Sequence, residues 1–138
     1  MSPDEIKVVK ESWAKILPLT DQVAELFYAR LFDTYPEVKP YFKGDMQAQG
    51  SKLMNMIDMA VNSLDNLEPM LEAIRESGRR HVGYGVKQED YDKVAEALLW
   101  TLEQGLGEFF TQEVKAAWIK TYATLASVMK AGAVSEEF

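Results

Sequence analysis

The chain has 138 residues, about one ordinary domain, and its 47% hydrophobic and 11% aromatic content is that of a globular rather than a disordered protein. A formal net charge of −7, from 15 basic and 22 acidic residues, argues against nucleic acid and anionic membrane surfaces as partners. The absence of cysteine removes disulfides, thiolate chemistry and the classical zinc finger, and no apolar run reaches the ~20 residues that cross a bilayer. The N-terminus lacks the basic start and apolar run of a signal peptide, so the expected location is the cytoplasm.

The first predicted helix starts at a capping box, with Ser2 as cap, Pro3 at the first helical position and Glu5 three residues after the cap. Ile6, Val9, Trp13, Ile16 and Leu17 recur at helical spacing until Pro18. Thr20 is read as the cap of a second helix carrying Val23, Ala24, Phe27, Tyr28, Leu31 and Phe32, which ends before Pro36. A turn-like stretch over residues 36–42 follows. A third helix, starting between Met46 and Gly50, puts Gln49 on the same stripe as Leu53, Ile57, Ala60 and Leu64. A fourth places Met70, Ile74, Ser77 and His81 on one face and closes at Gly83 and Gly85. A fifth runs from Asp90 to Gly107 and a sixth from Thr111, with Trp118 and Tyr122 inward, while residues 132–138 show no period and read as a frayed tail. No stretch alternates with period two, so the expected class is all-α, one domain over residues 1–138.

His81 is the only histidine, which makes a catalytic triad, a His-rich zinc site and a di-iron cluster hard to build. One histidine suffices for a haem, whose porphyrin brings the other four donors. Spacing alone leaves two readings open, an iron ligand or an ordinary surface or core histidine. Tyr28 and Gln49 are polar groups on apolar faces and carry two readings as well. They either satisfy each other inside the core or donate to a bound ligand. The aromatics Trp13, Phe27, Phe32, Phe42, Trp100 and Trp118 read mainly as core, and Asp90 beside Glu89 reads as a pair of local neighbours with no chemistry.

Taken together, Trp13, Pro36 with Phe42 six residues later, Gln49 four before Leu53, and His81 with Tyr91 ten residues later resemble the globins. The run Phe27-Tyr28-Ala29-Arg30-Leu31-Phe32 is similar to the B helix of bacterial single-domain haemoglobins, and residues 78–86 to their proximal segment. The likeness covers residues 2–129. It is nearest to a methanotroph globin with a Tyr/Gln pocket and extends in outline to the neuroglobins. It implies the globin fold with helices A, B, C, E, F, G and H and no D helix, and haem b (iron protoporphyrin IX) as cofactor. His81 would ligate the iron, Tyr28 and Gln49 would face the gas, Leu53 would lie one turn beyond Gln49, Phe42 would wedge against the porphyrin and Val86 would pack the proximal side. Tyr91 fits the proximal tyrosine of bacterial relatives, but the position of their helix H glutamate falls on Ala133. Four readings follow. The chain reversibly binds dioxygen, with CO and NO as other diatomic ligands, for storage, delivery or scavenging. Otherwise it is a nitric-oxide dioxygenase fed by a separate reductase, or a gas sensor. The last reading is a haem-free helical regulator or interaction domain.

Overall fold

Each helix begins where the chain can satisfy the N–H groups that a helix start leaves unpaired. The computed structural model describes residues 2–42, 44–83 and 89–136, with side chains for 2–42, 44–80 and 89–130. Helix α1, Pro3–Ile16, opens on the full capping box, the Ser2 hydroxyl accepting from the Glu5 amide and the Glu5 carboxylate from the Ser2 amide. Helix α3, Met46–Asn62, opens on Asp45, whose carboxylate accepts from the Gln47 amide, and Gly44 before it takes a positive φ of 90°. Thr20 differs from the sequence expectation. A 3-10 turn, Leu17–Leu19, runs straight into α2, Thr20–Thr34, so Thr20 is already helical and its hydroxyl caps nothing. Turn and helix share near-continuous hydrogen bonding there, and no side-chain cap is needed. A second 3-10 stretch, Pro36–Tyr41, joins α2 to the α3 cap, with no separate helix between them among the described residues.

Helix α4, Leu71–Gly83, and helix α5, Asp90–Leu106, flank the undescribed stretch 84–88. Gly107, with φ 56°, terminates α5 in a conformation that favours glycine. Helix α6, Gln112–Glu136, is longer than the sequence suggested, and residues 132–136 continue it rather than fraying. Once a helix is nucleated, each added residue gains a backbone bond without needing an apolar stripe.

The core lies where α1, α2, α5 and α6 meet, around Val9, Trp13, Ile16, Leu31, Leu102 and Trp118. Trp13 and Trp118 pack with ring centroids 6.0 Å apart, and neither indole N–H is wasted. Trp13 donates to Asp58 of α3 at 2.8 Å, and Trp118 to the Ser12 hydroxyl at 2.8 Å, satisfying two buried donors. Arg30 of α2 pairs with Glu96 of α5 and lies over the Trp100 ring at 5.0 Å. Helix α4 rests mainly on α6, not on α3, to which Ser77 reaches with a weak 4.0 Å contact to the Met56 sulfur.

That α4–α6 contact depends on Gly78. A Cβ built there would stand 2.0 Å from the Met129 carbonyl oxygen, with backbone that cannot rotate away. Gly78→Ala should therefore destabilise the fold by about 2 kcal/mol or more, outweighing the roughly 1 kcal/mol that alanine gains in a helix. Equilibrium denaturant unfolding measures it, and an unchanged midpoint would contradict the packing.

Candidate functional site

Helices α2 and α3 cross at their closest where neither residue is bulky. A Cβ on Gly50 would lie 3.0 Å from the Ala24 Cβ and 3.7 Å from Cε2 of the Tyr28 ring. Only a small residue fits this crossing, which sets Gly50 against Ala24 and Tyr28. Tyr28 is 9% exposed and sits in an aromatic wall. Its ring meets Phe27 edge-on at 5.1 Å, stacks on Phe32 at 5.8 Å and meets Phe42 edge-on at 5.4 Å.

Among the described residues the Tyr28 hydroxyl has no hydrogen-bond partner, and its only polar influence is lost water. Burial pushes the phenol from 10.0 up to about 12. Gln49 is half-buried, and its side chain makes no hydrogen bond either, its backbone N–H donating to Asp45. Among the described residues no hydrogen bond joins the two. Leu53, one turn on, is half-buried against the core, and so is Phe42 at the end of the stretch Pro36–Tyr41. Phe42 meets the Tyr28 ring, Leu53 packs on the general core, and Gln49 precedes the Gly50 that lies against Tyr28.

The other expected site residues stand differently. Position 81 falls in the last turns of α4, but the His81 side chain lies outside the described residues, as do Val86 and the side chain of Ala133. Ile74 and Ser77 are buried on α4, as their spacing with His81 required. Tyr91 is buried near the start of α5, its carbonyl accepting from the Tyr122 hydroxyl, and burial raises its phenol above the usual value. Among the described residues no group of three or more His, Cys, Asp or Glu could hold a metal ion.

Two residues of consequence were missed from sequence. Gly50 looked like a helix boundary and is the crossing point instead. Asp90 looked like a surface acid and is 3% exposed, held by Lys93 at 3.0 Å. A glycine flanked by apolar positions at helical spacing was a usable signal for the first. Nothing local marked the second, since an Asp followed three residues later by Lys is an ordinary surface pair.

The Globin family model matches residues 25–129. A globin-like protein from Aquifex aeolicus is 33% identical over 129 residues, covering 94% of this chain and 91% of that one. Neuroglobin from Tetraodon nigroviridis is 27% identical over 146 residues, covering 96% and 92%. The flavohemoprotein of Xylella fastidiosa is 31% identical over 132 residues, covering 94% of this chain, which spans only 33% of that relative's length. Among solved structures, a hexacoordinated heme protein from an anhydrobiotic tardigrade superposes with a TM-score of 0.87 at 15% identity, covering 96% of this chain and 95% of that one. That likeness shows the fold, an all-helical globin fold.

The Tyr28 environment has a pH signature. Its phenol ionises near 10.0 in an unfolded chain and near 12 in the fold, so the unfolded state sheds its proton first. The contribution is whole below pH 10.0 and is lost as pH rises through about 12. Tyr28→Phe should flatten part of the alkaline fall in stability across that window, as read by denaturant midpoints. An identical alkaline slope would contradict the burial of the phenol.

Proposed function

The chain belongs to the globin family, and from that premise we propose that it is one globin domain that carries haem b and reversibly binds dioxygen. The observation that carries the reading is the unpartnered pair of Tyr28 and Gln49 on an apolar wall. A phenol on a mostly buried ring and a half-buried carboxamide are polar groups that a ligand in the space beside them would engage. A planar, largely apolar cofactor with a polar diatomic ligand fits that combination, and the sparse contact between α3 and α4 is consistent with room for it.

His81 would supply the axial imidazole, the one histidine the chain has. Phe42, Leu53 and Val86 would pack the cofactor's apolar faces, and Tyr28 and Gln49 would face the gas. Haem supplies the ferrous iron at which dioxygen, CO or NO binds reversibly. The chain's own residues then decide how long the ligand stays. The Tyr28 phenol, kept protonated by burial, is a donor throughout the physiological range and cannot turn into a competing anion. Phe27, Phe32 and Phe42 pack around its ring and would limit the water that competes for its hydrogen bond. Storage, delivery or scavenging of oxygen in the cytoplasm, as in bacterial haemoglobins, is the role this supports.

A nitric-oxide dioxygenase is the second reading, favoured by the 31% identity to a flavohemoprotein of which this chain spans 33%. It would draw electrons from a separate reductase. Turnover of NO with an added reductase separates it from simple oxygen binding.

His81→Ala should abolish stable haem retention, and free imidazole should restore it, followed by the Soret absorbance. An unaltered spectrum in that variant would end the haem reading. Tyr28→Phe should speed oxygen release by about tenfold or more, since a hydrogen bond to a charged acceptor contributes roughly 1.5–3 kcal/mol, or about 10- to 150-fold. Gln49→Leu should do so more weakly. Stopped-flow dissociation measures both, and an off-rate indifferent to Tyr28 would overturn its distal role.

A further inference from the structure

Asp90 opens α5 and is 3% exposed, an expensive place for a carboxylate unless it is paired. The described residues around it come from two elements. Lys93, three residues on along α5, brings Nζ to 3.0 Å from Oδ1 of Asp90. The same ammonium lies 3.5 Å from Oε2 of Glu37, in the stretch Pro36–Tyr41. Tyr41, the last residue of that stretch, is half-buried, and its partial burial and then the nearby Asp90 carboxylate raise its phenol above the usual value. Phe42 comes next in the chain, its ring 5.2 Å from Phe32 and 5.4 Å from Tyr28. The buried acid is therefore two residues removed, through contacts, from the phenol that faces the site.

We infer that Asp90 is a positioning residue: with Lys93 it ties the Pro36–Tyr41 stretch to the start of α5 and so holds Phe42 against Tyr28. The carboxylate is suited to this place, because a helix N-terminus favours negative charge and Lys93 offsets its burial. The exposed ends of the network, chiefly Glu37, contribute little by themselves. The buried Asp90 fixes the geometry. Its effect on ligand release rests on the reading of Tyr28 as the distal donor, whereas the positioning stands on the contacts alone.

Asp90→Asn keeps the side chain's size and removes its charge. In the haem-loaded carbon monoxide form, or in the haem-free chain should no haem be retained, proton NMR should show the Phe42 and Tyr28 ring resonances displaced. The indole N–H resonances of Trp13 and Trp118, outside this network, should stay in place. Oxygen release should speed up about twofold or more, the lower range of coupling between residues of one network, but not when Tyr28→Phe is already present. Unmoved Phe42 and Tyr28 rings overturn the inference, and so does a shift of all four residues, which would mean general loosening. Displaced rings together with an oxygen off-rate insensitive to Tyr28→Phe would support the positioning and remove the distal reading. If Asp90→Asn does not fold, Tyr41→Phe deletes a single hydroxyl and carries the same measurements with the same outcomes.

Discussion

The close crossing of α2 and α3 is the constraint on which the site depends. Two helices normally pack with axes about 8–10 Å apart, at a distance set by the side chains between them. Here Ala24 meets Gly50, and a methyl group added at the glycine would already press on the alanine at 3.0 Å. The residue of α3 that this crossing sets beside Tyr28 is Gly50, whose added Cβ would lie 3.7 Å from the Tyr28 ring. A larger residue at position 50 would push α3 away from Ala24 and from that ring.

The aromatic wall builds on that crossing. Phe27, Phe32 and Phe42 surround the Tyr28 ring from α2 itself and from the end of the 36–41 turn. Edge-on contacts place the positive rim of one ring on the negative face of another, so the cluster is oriented as well as apolar. The phenol's oxygen is the one polar atom that this wall does not absorb. Its raised pKa is the electrostatic trace of the same arrangement, since nothing charged is needed to explain it.

Helix number, the capping box at Ser2 and the core residues Val9, Trp13, Ile16, Leu31 and Trp118 were legible in the sequence, because apolar spacing and cap chemistry are local. Tyr28, Gln49, Leu53 and Phe42 were legible as a set only through resemblance, and of these the structure shows Tyr28 and Phe42 in contact. Thr20 was misread because a threonine after Pro18 looks like a cap until the Leu17–Leu19 turn is seen to run into α2. Residues 132–136 were misread because a helix end without an apolar stripe leaves no periodic trace. Asp90 could not be read at all, since its burial is decided by Glu37 and Tyr41, about fifty residues earlier in the chain. His81 and Val86 remain assignments carried by the family likeness.

The bond from the Trp118 indole to Ser12 joins residues 106 positions apart. Closing a loop of that length costs roughly 4 kcal/mol of chain entropy before the contact returns anything. The α2–α3 crossing, from Ala24 to Gly50, closes a shorter loop and costs roughly 1 kcal/mol less. The tryptophan pair thus sits at the seam that joins the two ends of the chain. Its fluorescence, beside that of Trp100, is sensitive to whether those ends are joined.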